Sequence, residues 1–396
     1  MFFLLMRVCL TIGLQMQAVI VGWEIFKITK DPLSLGLIGL AEAIPAISIA
    51  LYAGHIADVS SKRKIISRSI GVMIFCSLGL LIVTSDLSHF NFPENYIVNA
   101  MYVFIFLSGL ARGFFAPTGF SFLSQLVDRE LLTTASTWNS SSWQIAAIFG
   151  PAIGGLFYAW LGITLTFLYV IFFCFAALFF VLRIKAKPII PSVTNESIID
   201  RLKEGVKFVF NNKVILHAIS LDLFSVLFGG AVALLPVFAD QILNVGAEGL
   251  GMLRAAPSLG ASITMIWISM RKHPKRPGII LLYCVAGFGL SIIGFGLSSN
   301  FLLSLFFLFL SGAFDSVSVV IRGNVLQLQT PDHMRGRVSA VNTIFIGSSN
   351  EIGAFESGVA AKLMTTVPSV IFGGSMTLLI VGFTALKAKA LKAYRY

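Results

Sequence analysis

The stretch from Leu33 to Lys64, LSLGLIGLAEAIPAISIALYAGHIADVSSKRK, decides the fold. Its first 25 or so residues carry a single Asp, Glu, Lys or Arg, which is Glu42, and a helix of that length crosses the ~30 Å of a bilayer's hydrocarbon core. Asp58 then opens a short polar connection that ends in Lys62, Arg63 and Lys64. A basic cluster just beyond an apolar run marks the cytoplasmic side of a membrane.

The pattern recurs in both directions. Twelve apolar runs follow one another, from about residues 2–26 to about 367–386. Composition agrees: 57% of residues are hydrophobic and 12% are charged, with a mean hydropathy of +0.89. A soluble domain carries roughly 25% charged residues. Twelve spans in 396 residues leave about 33 for each helix with its turn, and no room for a soluble domain. The first run is too long for a signal-peptide core and lacks a small-residue cleavage pattern, so it reads as a span.

The cations sit in every second connection, at 62–68, 129, 183–213, 271–276, 335–337 and 387–395. The opposite connections hold Lys27, Lys30 and Lys362, and Arg7, Arg112, Arg254 and Arg322 fall within spans. Both termini are therefore expected in the cytoplasm of an inner-membrane protein. The net charge of +11 reads as an orientation signal and a contact for anionic lipid, with no nucleic-acid partner. Cys9, Cys76, Cys174 and Cys284 lie in apolar stretches without paired spacing, so neither a disulfide nor a metal site is expected. Residues 184–212 join two halves. Val206 and Val209 continue a helical spacing begun at Ile198 and Leu202, which predicts an amphipathic helix on the cytoplasmic surface.

The halves repeat. At a shift of 203, Ser108-Gly109 falls on Ser311-Gly312, Asn139 on Asn342, Gly150 on Gly353 and Gly155 on Gly358. At a shift of 212, Gly39 falls on Gly251 and Pro45 on Pro257. The expected architecture is an all-α membrane protein of twelve transmembrane helices in two pseudo-symmetric six-helix halves. These are 1–183 and 213–386, with a linker at 184–212 and a tail at 387–396. Parallel repeats of this kind suit a transporter with alternating access and a substrate site near the midplane.

Three local matches extend the reading. Gly54, Asp58 and the cluster Lys62-Arg63-Lys64 form one; Val59 and Ser61 depart from its usual Arg and Gly. Gly150-Pro151-Ala152-Ile153-Gly154-Gly155 forms the second, with Ala146 in place of a leading Gly. Gly22-Trp23-Glu24-Ile25-Phe26 with Asp31 to Gly36, and Pro331 to Asn342, form the third. In these the chain resembles the major facilitator superfamily, and its branch of enterobactin exporters and macrolide efflux proteins. The resemblance implies the major facilitator fold, proton-driven efflux of a drug-like or siderophore-like small molecule, a conformational role for the first motif and an antiporter role for the second. It implies neither cofactor nor enzymatic chemistry, and a monomer is expected.

Ionisable side chains at membrane depth cost at least ~2.5–3.5 kcal/mol each, which singles out those that remain. Glu42, Asp222, Asp315, Glu351 and Glu356 are the candidates for proton coupling, with Arg112 and Arg254 as electrostatic partners. The repeat sets Arg112 against Asp315 and Glu42 against Arg254, so these charges either pair within a half or face each other. Glu351 and Glu356, about 140° apart on a helix, cannot both face one spot. Glu24 and Arg322 lie nearer span ends and are expected to reach water. No GxxxxGK[ST] loop is present, which argues against an ATP-driven pump. A nutrient importer and a lipid transporter are the competing readings.

Overall fold

The structure is a computed structural model that describes residues 1–85, 92–185, 198–271, 276–331 and 334–395; side chains at 50–51, 54–55, 57–59, 129, 133 and 198–202 lie outside that description. Its elements are helices, as the bilayer requires of a chain that must satisfy its own backbone groups. The longer ones are α1 (Phe2–Thr29), α2 (Pro32–Val59), α3 (Lys62–Val83), α4 (Glu94–Leu126), α5 (Leu132–Arg183), α6 (Ile198–Asn211) and α7 (Lys213–Phe228), which short helical turns extend to Ile242. There follow α8 (Gly246–Ser269), α9 (Pro277–Leu297), α10 (Phe301–Gln329), α11 (Arg335–Met364) and α12 (Thr366–Lys387).

Among the described residues, nine helices are long and apolar enough to cross a membrane. One is α5, whose 52 residues would extend about 78 Å if straight. It breaks at Gly162, where φ is 76° and ψ 177°, a conformation that glycine adopts without strain. That turns one long helix into two crossings. With α8 and α11, which are 24 and 30 residues long, the helices are consistent with twelve spans.

Turn chemistry fixes several ends. Lys30, at φ 49°, donates its N–H to the Phe26 carbonyl and closes α1, and Asp31 accepts from the Leu33 N–H at the start of α2. Asn212 accepts from Val214 and Ile215, and Asn300 from Leu303, capping α7 and α10.

Two compact units form. One holds Met1–Lys30, Leu40–Thr194 and Asn244–Ala255; the other holds Asp31–Gly39, Asn195–Leu243 and Ala256–Tyr396. Within each unit, the glycines of the repeat make matching contacts. Gly109 of α4 lies against Glu42 and Pro45 of α2, and Gly312 of α10 lies against Pro257 of α8. Gly150 of α5 meets Ile12 and Gln15 of α1, and Gly353 of α11 meets Val226 and Leu227 of α7. Gly155 packs on Gly251 in the first unit, and Gly358 on Gly36 in the second. A Cβ at Gly155 would stand 2.3 Å from the Ala247 carbonyl, so only glycine permits that approach.

The linker helix α6 turns its apolar side onto the second unit. Val206 and Val209 pack with Ile215, Ile219, Val338 and Val341, and Glu204 pairs with Arg337. Large apolar side chains such as Phe75, Ile82, Phe172 and Leu182 stay exposed, as a lipid-facing surface requires.

Candidate functional site

In the first unit, Gly109 allows α4 to lie close on α2, and this brings two charges together. Arg112 Nη1 donates to Glu42 Oε2 at 2.9 Å. The pair is half-buried, with 34% of the Arg112 side chain and 22% of that of Glu42 exposed. Arg7, on α1, stacks its guanidinium 5.6 Å from the centre of the Phe115 ring, one turn beyond Arg112 on α4. The Nε atoms of Arg7 and Arg112 are buried without a hydrogen-bond partner.

In the second unit, Asp222 of α7 pairs with Arg322 of α10. Both are buried, with side chains 9% and 5% exposed. Asp315 lies seven residues before Arg322, on the same face of α10. It and Asp222 line one small cavity with Ser225, Cys284, Phe288 and Ser318, which has room for a single water-sized occupant. The Ser318 hydroxyl is buried without a partner.

Of the other residues marked in the sequence, Arg254 donates from Nη1 to the Ala18 carbonyl at 3.1 Å within the first unit. Glu351 lies against Gly39 at the start of α2, and Glu356 stands half-buried further along α11. Lys62 is buried at the start of α3, Arg63 donates to the Leu182 carbonyl at 2.6 Å, and Lys64 is exposed. The side chains of Gly54's neighbourhood, Asp58 included, lie outside the described residues. In the second motif Gly150 and Gly154 face α1, whereas Gly155 faces Gly251.

Two expectations need correction. Arg322 and Glu24 do not reach water: each is 4% exposed. Helix α10 continues to Gln329, two turns past Arg322, which places its guanidinium beside Asp222. Glu24 accepts from the Tyr158 hydroxyl of α5 and lies 3.8 Å from Lys27. A sign was available for Arg322, its spacing of seven from Asp315. For Glu24 nothing in the sequence points to Tyr158. Among the described residues, no three His, Cys, Asp or Glu gather as a metal site.

The model of the transmembrane secretion effector family matches residues 3–394. The chain belongs to that family of major facilitator transporters. Among its curated relatives, the enterobactin exporter of Shigella boydii serotype 4 is 29% identical over 89% of this chain and 83% of its own length. That of Escherichia coli O1:K1 is 28% identical over 85% and 78%. Solved transporters share the fold at low identity. A POT family transporter in complex with 5-aminolevulinic acid superposes with a TM-score of 0.75 at 13% identity, covering 98% of this chain and 96% of its own. The xylose transporter XylE from E. coli, in an inward open conformation, gives 0.72 at 12% identity over 100% and 96%. As a secretion effector, the chain is a multi-pass membrane transporter of major facilitator fold.

Proposed function

We propose that this transporter exports a small amphiphilic molecule, drug-like or of the siderophore type, from the cytoplasm in exchange for protons. It would sit in the inner membrane as a monomer with both termini cytoplasmic, in line with the alternating cations. The observation that carries the coupling is the buried Asp222–Arg322 pair, with the half-buried Asp315 lining the same small cavity as Asp222. Two carboxylates and one guanidinium leave one negative charge in excess in a medium that tolerates none, and binding one proton brings the cluster to neutrality. Glu42 with Arg112, Arg254, Glu351 and Glu356 supply the further charges that alternating access would expose and cover. The curated relatives being enterobactin exporters supports the outward direction.

The test is reconstitution in proteoliposomes with an imposed proton gradient, with Asp222→Asn, Asp315→Asn, Glu42→Gln, Glu351→Gln and Glu356→Gln made singly. Loss of gradient-driven transport in Asp222→Asn or Asp315→Asn is the expected result. Transport that stays proton-coupled in all five variants would falsify the coupling, and gradient-driven movement toward the cytoplasm would reverse the direction.

A further inference from the structure

The first unit's charges differ in sign from the second's. Arg7 and Arg112 against Glu42 leave one positive charge in excess at membrane depth. Glu24 does not offset it: that carboxylate is paired with Lys27 and Tyr158, and lies 17 residues from Arg7, about 25 Å along α1. The excess comes with unmet hydrogen-bond demand. Arg7 Nε, Arg112 Nε and the hydroxyl of Ser108, one turn before Arg112 on α4, are all buried without a partner. Ser108 is 2% exposed. Leaving a buried donor unsatisfied costs ~1–3 kcal/mol, so three, two on neighbouring turns of α4 and one on α1, call for an acceptor from outside the protein.

There is also space one turn beyond the Phe115 ring. Gly119 continues the stripe of Arg112 and Phe115 along α4, and a Cβ there would meet only the Phe115 ring, at 4.0 Å. Phe122, at the next turn, closes the stripe against Phe3 of α1, ring centres 6.1 Å apart. The Arg7 guanidinium has Phe115 on one face; its other face and its Nε–H suit a planar group that carries negative charge.

We propose that Arg7, Arg112, Ser108 and the Phe115 face form an anion-recognition site in the first unit, and that the exported molecule enters it as an aromatic anion. The guanidinium groups take the charged oxygens, Ser108 donates to one of them, and the ring of the ligand stacks on Arg7. Glu42 holds Arg112 in place and keeps the site from attracting anions too strongly to release them. This rests on the reading of the chain as an exporter and adds the charge and shape of what it exports.

The test measures binding to the purified full-length protein in detergent, by calorimetry, with no proton gradient. The probes are 2-naphthoate and its neutral counterpart 2-naphthamide. The wild-type protein is expected to favour the acid by about tenfold or more in Kd. Arg7→Gln and Arg112→Gln should each bring that preference close to one, and Arg7→Lys should keep part of it. A wild-type protein that binds both probes equally overturns the site without any variant, and so does a preference unchanged in both glutamine variants. Because no gradient is used, a failure of proton coupling leaves this result standing. An absent preference, conversely, leaves the proton test untouched.

Discussion

The two charge clusters occupy related helices of one repeat and yet differ in almost every respect. Glu42–Arg112 is half-exposed and has a second arginine nearby; Asp222–Arg322 is buried and has a second aspartate nearby. One close helix contact recurs in both units, Gly109 on Pro45 and Gly312 on Pro257, but Glu42 sits on the helix so contacted whereas Asp222 sits on α7. What the repeat keeps is the approach of helix backbones, because a Cβ in those places would collide with a main-chain atom. What it leaves free is the chemistry of the side chains that the approach brings together. That freedom is what a transporter needs if one unit is to recognise its cargo and the other is to carry the coupling proton, as proposed above.

The comparison breaks most visibly if one member of the buried pair is removed. Arg322→Gln strands the carboxylate of Asp222 in the second unit and is expected to cost ~3–5 kcal/mol. Glu42→Gln leaves Arg112 partly in water and should cost about 1 kcal/mol or less. Thermal unfolding in detergent measures both, and equal shifts would contradict the contrast. The reversal Asp222→Arg with Arg322→Asp should recover part of the loss that either single change produces.

A second expectation concerns what the units share. Gly155→Leu and Gly358→Leu place side chains against Ala247 and Gly251 in one unit and against Gly36 in the other. Each is expected to destabilise by ~1–3 kcal/mol through overpacking, and the two by similar amounts. If one is tolerated and the other is not, the repeat governs less of the packing than the matching contacts indicate.

How much of this could be read in the sequence follows from the same division. Apolar runs, alternating cations and a constant shift across Gly109, Gly150 and Gly155 are long-range regularities, so the helices and their close contacts were legible. Charge partners were not, because they depend on which face of a helix meets which neighbour and on where the helix ends. The alignment of Arg112 with Asp315 and of Glu42 with Arg254 leaves open whether charges pair within a half or face each other. Arg112 pairs within its half, with Glu42 on the helix that Gly109 touches. Arg322 lies near the end of its apolar run, and nothing in that run shows that its side chain turns inward to Asp222 on a neighbouring helix. Arg7 carried no signal beyond its charge; its meaning comes from the Phe115 ring on another helix.

The smallest effect is expected where the repeat has no counterpart at all. Lys362 at the end of α11 donates to Asp31 at 2.6 Å, whereas the shifts that relate the halves put Ala159 and Leu243 in their places. The pair is largely solvated, with side chains 51% and 35% exposed. After screening it should contribute ~0–1 kcal/mol. Partial burial pushes the Asp31 carboxyl up, but the bonds from Lys362 and the Leu33 N–H outweigh it and hold the group below its usual value. A carboxylate lowered in this way stabilises the folded state above the unfolded value of ~3.9 and loses that contribution as pH falls through the folded one. Lys362→Met should therefore melt slightly below wild type across neutral pH, and the gap should close in acid once Asp31 is protonated. A gap that persists at acid pH, or one as large as that of Arg322→Gln, would mean that Lys362 acts on something other than Asp31.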